Sequence, residues 1–146
     1  MSRNKKNLAS RYYEDRVTPP YVNHLKDNQI FVFGSNSHGI HNGGAAYVAL
    51  MKFGAEYGKG EGIQGSSYAI PSTGSIAEFT DAVRRFIDFA SEHPELHFFV
   101  TRVGCGNAGW SVSDVAPLFS DCVRLENVSL PEDFWNCLGL NMHNKL

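Results

Sequence analysis

The sequence predicts an α/β fold, a compact three-layer α/β/α sandwich with a mostly parallel (mixed) central sheet. Short β-prone segments alternate along the chain with segments of helical periodicity, which is typical of a parallel sheet flanked by helices. The segment 29–33 is apolar without interruption, as expected of a strand that is buried on both faces. The 146 residues suit a single domain, 1–146, in which residues 1–17 could form a flexible N-terminal segment.

The elements expected in the first half follow from apolar runs and from the residues that interrupt them. In chain order they are a short helix at 21–26, a strand at 29–33, a loop at 35–42, a helix from 45 to near 54, a glycine-rich loop at 57–65 and a strand at 67–70. Pro19 and Pro20 mark the break before the first helix. Gly34 ends the first strand, and Pro71 bounds the second.

The second half continues the alternation. A capping box, Ser75-x-x-Glu78, predicts the start of a helix. Apolar residues then recur at helical spacing, and Pro94 marks the end of the helix. The later elements are a strand at 97–101, a loop at 104–109, a helix through about 125 and a strand at 127–130. Either Ser113 or Asp114 is expected to cap the later helix. The bulky aromatic residues at 134 and 135 are expected to pack on the body.

Composition excludes several classes of protein. The net charge of −2 gives no general attraction to nucleic acid or to an anionic membrane, and no apolar stretch approaches the roughly 18 residues of a membrane span. The start, MSRNKKNLASRYYEDR, lacks the apolar run of a signal peptide. Three widely spaced cysteines argue against a disulfide framework, so a cytoplasmic location is expected. The histidine spacing favours no metal site, and no cofactor is expected.

Thirteen of the 14 glycines lie between Gly34 and Gly109, and they concentrate in loops that follow strands. The loops 34–44 and 104–109 both leave the carboxyl end of an expected strand, where ligands bind in parallel sheets. Each is expected to lead into a helix N-terminus, whose free N–H groups and dipole attract anions. The sequence therefore predicts a ligand that carries phosphate.

Known nucleotide motifs do not explain these loops. The pattern GxGxxG occurs at 60–65, before a strand rather than after one, and at 104–109, too close to the end of the chain for a doubly wound dinucleotide domain. Neither loop is followed by the Gly-Lys-Ser/Thr of a P-loop. A dinucleotide oxidoreductase and a P-loop enzyme are both disfavoured.

Single residues in the loops allow two interpretations each. Cys105 could be a nucleophile if His38 or His41 approached it as a base, but small buried cysteines are commoner, and we expect it not to be one. Trp110 could belong to the core or could cover an aromatic base. Asn36 and Asn107 could shape turns or bond ribose hydroxyls.

Two segments resemble the ligand loops of macrodomains. The stretch 33–54, FGSNSHGIHNGGAAYVALMKFG, is similar to their first loop and the helix after it. The stretch 103–110, VGCGNAGW, is similar to their second loop. It is closest to the branch with a Gly-Cys-Gly core, which includes the terminal ADP-ribose-protein glycohydrolase and the yeast-type ADP-ribose-1''-phosphate phosphatase. The resemblance covers about 29–130, with 67–73 at the middle strand, and implies a macrodomain-like sandwich that binds ADP-ribose.

The resemblance also implies a set of site residues. The first loop would meet the distal ribose and the second would clamp the diphosphate. The implied ligand-binding residues are Gly34, Ser35, Asn36, Gly43, Gly44, Ala45, Gly104, Cys105, Gly106, Asn107, Ala108, Gly109 and Trp110. In a hydrolase, Asn36 would orient the ribose or a water, and His41 would be a candidate acid or base. No metal is expected.

The chain departs from that branch in its catalytic positions. The branch has a lysine after the middle strand, where this chain has Ser72, Thr73 and Gly74. It has an aspartate after the Gly-Cys-Gly core, where this chain has Asn107 and Ala108. An acidic residue that reads adenine has only a weak counterpart, in the segment 14–18, which includes Asp15.

Three functions remain open at this level. The leading expectation is a module that binds ADP-ribose or a related nucleotide and could hydrolyse ADP-ribosyl or ADP-ribose phosphate substrates. The second is a non-catalytic reader of ADP-ribosylated protein or nucleic acid. The third is an interaction protein that keeps the fold without the ligand. No membrane partner is expected.

Overall fold

The computed structural model describes residues 15–41 and 43–139, and within them the sheet has five strands. The strands are β1 (Gln29–Ser35), β2 (Gly62–Gln64), β3 (Ser67–Pro71), β4 (His97–Val100) and β5 (Val128–Ser129). Their order across the sheet is β2-β3-β1-β4-β5. Strands β1, β3, β4 and β5 run parallel, and β2 is antiparallel to β3. The α/β class and the mixed sheet are confirmed.

Among the described residues, four α-helices and one 3₁₀ helix connect and flank these strands. They are α1 (Gly44–Lys52), α2 (Ile76–Glu92), α3 (Val112–Val115), the 3₁₀ helix (Ala116–Arg124) and α4 (Glu132–Cys137). The capping box at the start of α2 is confirmed: the Ser75 hydroxyl accepts from the Glu78 amide, and the Glu78 carboxylate accepts from the Ser75 amide. In the part of the chain that is described, no helix is long and apolar enough to cross a membrane.

Strand β1 is the centre of the sheet, between β3 and β4. Its side chains alternate between two apolar clusters, which is why the segment reads as apolar at every position. Ile30 and Val32 join a cluster formed with α2, the 3₁₀ helix and α4, whereas Phe31 and Phe33 join one formed with α1. Both faces of β1 are therefore covered by helices.

The apolar clusters on the two faces of the sheet differ in size. The α2 face contains a large aromatic core of Tyr68, Phe79, Phe86, Phe98, Phe119, Phe134 and Trp135. On the other face the small residues Ala46 and Ala49 let α1 approach Phe31, Phe33 and Phe53. The expectation that the aromatic residues at 134 and 135 pack on the body is confirmed, and they do so from α4, a helix that was not expected.

Three expectations about local structure are wrong. Residues 21–26 form no helix, since a helix this short depends on packing of one buried face and no residue of this segment is fully buried. Val22 and Leu25 instead pack beside the α1-face cluster. The glycine-rich stretch 57–65 contains β2, because Gly65, with φ of 59°, permits the turn that returns the chain along β3.

The third correction concerns the start of α3. Ser111, rather than Ser113 or Asp114, is the N-cap. Asp114 occupies the N3 position of a capping box, so its carboxylate serves the helix start without being its first residue. The helix continues as a 3₁₀ helix from Ala116, near Pro117, which lacks an N–H to donate.

The N-terminal expectation at 1–17 lies mostly outside the described residues, which begin at Asp15. Within the described part, Arg16 is buried and its guanidinium donates to the carbonyls of Cys122, Val123 and Val128. Val17 forms a parallel bridge with Leu130. Residues 16–18 are thus tied to the chain after β5.

Candidate functional site

A cleft of about 360 Å³ lies at the carboxyl ends of the central strands. It brings together both glycine-rich loops, and most of the residues that the sequence analysis assigned to a ligand line it. These are Gly34, Ser35, Asn36, Gly43, Gly44, Ala45, Gly104, Cys105, Gly106, Asn107 and Ala108. Gly109, Trp110 and His41 are not among the lining residues.

The floor of the cleft is the point where three strand ends converge. A Cβ atom at Gly34 would lie 3.1 Å from both the Gly104 amide nitrogen and the Ser72 hydroxyl, so a larger residue would push the loops apart. The Ser72 amide donates to the Ser35 carbonyl at 2.8 Å. Glycine at position 34 therefore allows the loops after β1, β3 and β4 to meet.

Ser72 and Thr73 also line the cleft, and sequence reasoning missed them as ligand residues. The sequence analysis mentions both residues only because they stand where the Gly-Cys-Gly branch has a lysine. The signal was available, because they follow β3 directly and share the edge at which parallel strands present ligand groups.

The first loop delivers the start of α1 to the cleft. The N-cap, Gly43, has no side chain to accept from the first amides of the helix, and the first turn contains no acidic residue. Gly44, with φ of 58°, adopts the left-handed conformation that glycine tolerates. The backbone amides at the start of this nine-residue helix are therefore positioned to donate to an anion.

The second loop presents backbone in a different way. The amides of Gly106, Asn107 and Ala108 make no hydrogen bond within the described residues. A Cβ at Gly106 would meet nothing within 4 Å, whereas one at Gly104 would lie 2.9 Å from the Phe79 ring. The loop leads to α3, a single turn whose capping box satisfies the Ser111 and Asp114 amides, and the loop itself adds the three open amides of residues 106–108.

Asn36 uses its amide group inside the first loop. Its Oδ1 accepts from the His38 and Ile40 amides, each at 3.1 Å, and its Nδ2 donates to the Ile40 carbonyl at 3.1 Å. These three hydrogen bonds lie within the loop, so they support the interpretation that Asn36 shapes the turn. Its role toward a ribose stays a prediction.

His41 lies beneath the loop, fully buried, with its ring edge against Phe33 at 5.1 Å between centroids. Its Nε2 lies 3.1 Å from the Lys59 carbonyl, which can only accept, so Nε2 carries the proton. Its Nδ1 has no partner among the described residues. The ring faces the core and the neighbouring loop, and it does not reach the cleft lining.

Cys105 and Trp110 are both held by the protein around them. The Cys105 thiol is half buried, near the Val103 carbonyl at 3.8 Å, and burial raises its pKa, opposed in part by the Arg102 charge. The Trp110 indole donates to the Ser72 carbonyl at 2.7 Å and packs against Phe79. These contacts match the core interpretation of the tryptophan. Neither His38 nor His41 is a hydrogen-bond partner of Cys105 in the described structure.

One charged side chain lines the cleft within the described chain, the guanidinium of Arg102. Its Nε lies 3.2 Å from the Asp133 carboxylate, and 60% of the side chain is exposed. Backbone amides and this cation give the cleft a positive character that suits an anion. The sequence alone gives no reason to single out Arg102.

A second cavity, of about 560 Å³, adjoins the cleft. Ala45, Thr101 and Arg102 line both cavities, so the two are adjacent. The second one is walled mainly by apolar and aromatic groups, namely Pro19, Pro20, Tyr21, Val22, Phe31, Val48 and Pro131. Together the cavities pair an apolar compartment with a polar one that is rich in amides.

Two further expectations concern groups away from the cleft. Asp15 is exposed and lines neither cavity. No cluster of three or more histidine, cysteine or acidic residues able to hold a metal occurs among the residues described. Comparison of the chain with protein-family models, with curated proteins and with solved structures finds no match.

Proposed function

We propose that this chain binds ADP-ribose or a closely related nucleotide diphosphate in the cleft between its two glycine-rich loops. The observation that carries the proposal is the composition of the cleft wall. It combines the start of α1, the unpaired amides of residues 106–108 and the guanidinium of Arg102. Backbone N–H groups and a guanidinium are the donors that proteins use for phosphate oxygens.

The adjoining cavity supports a nucleotide rather than a bare anion. Its proline, valine and aromatic walls suit the flat apolar faces of a base, and it shares Ala45, Thr101 and Arg102 with the amide-rich cleft. Both volumes fall within the roughly 300–1,000 Å³ that small-molecule sites occupy. The macrodomain resemblance of the loops, with a base at one end and a diphosphate between the loops, agrees with this order of compartments.

The proposal is tested by titrating the chain with ADP-ribose, AMP, adenosine and inorganic phosphate while its melting temperature is measured. Ligand at about 100 times its dissociation constant should stabilise the folded chain by about 2.7 kcal/mol. We expect ADP-ribose to give the largest shift and phosphate alone the smallest. A flat response to all four ligands at millimolar concentration would contradict nucleotide binding and favour an interaction protein.

Hydrolysis is a separate question, which a turnover assay answers. The groups on the cleft wall are amides, hydroxyls, one thiol and one guanidinium, all of which can bind and orient a ligand. Release of phosphate from ADP-ribose-1''-phosphate, or of ADP-ribose from a modified protein, would make the chain an enzyme. Tight binding without either product would make it a reader.

A further inference from the structure

Arg102 stands at the junction of the two cavities. Among the three residues that line both, it is the only one with a charge. Its backbone is fixed there, since Thr101 before it bonds the Val32 carbonyl through both its amide and its hydroxyl, and the Arg102 carbonyl accepts from the Cys105 amide. A ligand that filled both cavities would have to pass this side chain.

The guanidinium is only partly engaged. The Asp133 carboxylate lies beside its Nε, and its two terminal nitrogens make no hydrogen bond among the described residues. Arginine carries its donors in a planar fork that matches two oxygens of a phosphate group. The open side of this fork is therefore available to a ligand, while the engaged side is held by the protein.

Asp133 restrains Arg102 from the side of the apolar cavity. It lines that cavity and does not line the amide-rich cleft. Because both members of the pair are substantially exposed, the pair contributes little to the stability of the fold. Its consequence is geometric, since it limits the positions that the guanidinium can take.

Resting on the proposed function, we propose that Arg102 is the residue that makes the site specific for phosphate-bearing nucleotides, and that Asp133 is its positioning residue. The terminal nitrogens of Arg102 would donate to two oxygens of the diphosphate where it crosses between the cavities. An uncharged nucleoside would gain nothing from this contact. The site would then discriminate between ADP-ribose and adenosine mainly through one side chain.

The experiment measures the affinities of ADP-ribose, adenosine and inorganic pyrophosphate by calorimetry for the unmodified chain and five variants. Arg102→Gln should weaken ADP-ribose at least about tenfold and adenosine less than about twofold, because only the former has phosphates. The ADP-ribose affinity of Arg102→Lys should lie between those of Arg102→Gln and the unmodified chain, since lysine keeps the charge but lacks the planar fork of donors. Lys52→Gln is the matched control: it removes a cation that lines only the apolar cavity, and should change ADP-ribose affinity less than about threefold.

Asp133→Ala tests positioning. It should weaken ADP-ribose about threefold in the unmodified background and have no effect in the Arg102→Gln background, as a double-mutant cycle requires of a residue that acts through another. An affinity for ADP-ribose that is unchanged or higher in Asp133→Ala overturns the positioning role. Melting temperatures of all variants should stay within about 3 °C of the unmodified chain.

The two proposals fail in different ways. If the unmodified chain binds ADP-ribose and Arg102→Gln binds it equally well, the specificity role is wrong and the proposed function stands. If the unmodified chain binds pyrophosphate through Arg102 but not ADP-ribose, the anion role of Arg102 stands and the nucleotide function is wrong. Absence of binding to either ligand overturns both.

Discussion

Both glycine-rich loops line the same cleft, but Gly39 of the first loop and Gly106 of the second are needed for opposite reasons. A Cβ at Gly39 would clash with the backbone of Gly58 and Lys59, and one at Gly60, in the neighbouring stretch 57–65, would clash with the Asn36 carbonyl oxygen. In the second loop, a Cβ at Gly106 would meet nothing within 4 Å. The first set of glycines permits contact between protein segments, and Gly106 leaves space empty.

This difference separates structural glycine from ligand-facing glycine. The first loop is braced by the Gly58 amide, which donates to the Gly39 carbonyl at 2.8 Å, and by His41 on the Lys59 carbonyl. The second loop leaves three amides open. Substitution of Gly39 should therefore damage the fold before it damages binding, and substitution of Gly106 should do the reverse.

The largest effect is expected for Gly39→Ala. Gly39 has φ of 68°, so alanine would pay about 1–2 kcal/mol for the left-handed conformation and a further 1–3 kcal/mol for overpacking against the 58–59 backbone. We expect a loss of about 2–5 kcal/mol in the free energy of unfolding, measured by chemical denaturation.

Gly58→Ala is the matched control for this comparison. Gly58 also has a positive φ, of 91°, but a Cβ there meets nothing within 4 Å. Its free energy of unfolding should fall only by the cost of the left-handed conformation, about 1–2 kcal/mol. Equal losses for the two variants would show that the contact between the loops yields easily, and would remove the structural half of the comparison.

Gly106→Val should produce the next largest effect, and on binding alone. The branched side chain would occupy the space over the open amides and restrict the loop backbone. ADP-ribose affinity should fall at least about a hundredfold, or about 2.8 kcal/mol, with stability within about 1 kcal/mol of the unmodified chain. Calorimetry on the folded variant, with Gly106→Ala as the smaller step, is the measurement. Undiminished affinity would make this loop a structural turn only.

Asn36→Ala follows, and it probes the first loop from within. The side chain makes three hydrogen bonds to the loop backbone, so its loss should reduce stability by about 1–2 kcal/mol. Because the loop shape would change for every ligand, AMP and ADP-ribose should weaken together, by several-fold. Asn36→Asp keeps the two bonds to Oδ1 and should lose less stability.

A different result would support the ribose role. If ADP-ribose alone weakened, with AMP affinity and melting temperature unchanged, the amide would have to contact the part of the ligand that AMP lacks. Titration of both ligands against a folded variant separates these outcomes.

What the sequence predicts well is what local spacing encodes. The capping box at Ser75 and Glu78 is a bond between residues three apart, and β1 is apolar because both of its faces are covered. The strand ends also predict which glycines share the cleft, since parallel strands present their carboxyl ends at one edge.

What it misses depends on contacts between distant segments. The position of His41 follows from the docking of its loop on Lys59, 18 residues away, and nothing in the spacing of histidines reveals that. Strand β2 is three residues long and contains a glycine, so it has no apolar pattern of its own and exists through pairing with β3. The junction role of Arg102 likewise requires knowing that two cavities meet there.

The smallest effect is expected for Cys105→Ser in the second loop. The thiol has one weak contact, with the Val103 carbonyl, and burial raises its pKa, so at neutral pH it is protonated and a poor nucleophile. We expect ADP-ribose affinity to change less than about threefold, and any turnover to stay within about tenfold, since loss of a covalent nucleophile costs far more. Because burial raises the pKa of the folded Cys105 thiol, its alkylation should accelerate with rising pH and should stay slower than that of the exposed Cys137. ADP-ribose at ten times its dissociation constant should slow alkylation of Cys105 about tenfold and leave Cys137 unchanged, because only Cys105 lines the cleft. Loss of all turnover with intact binding would instead make Cys105 the nucleophile, and a rate indifferent to ligand would separate the second loop from the site.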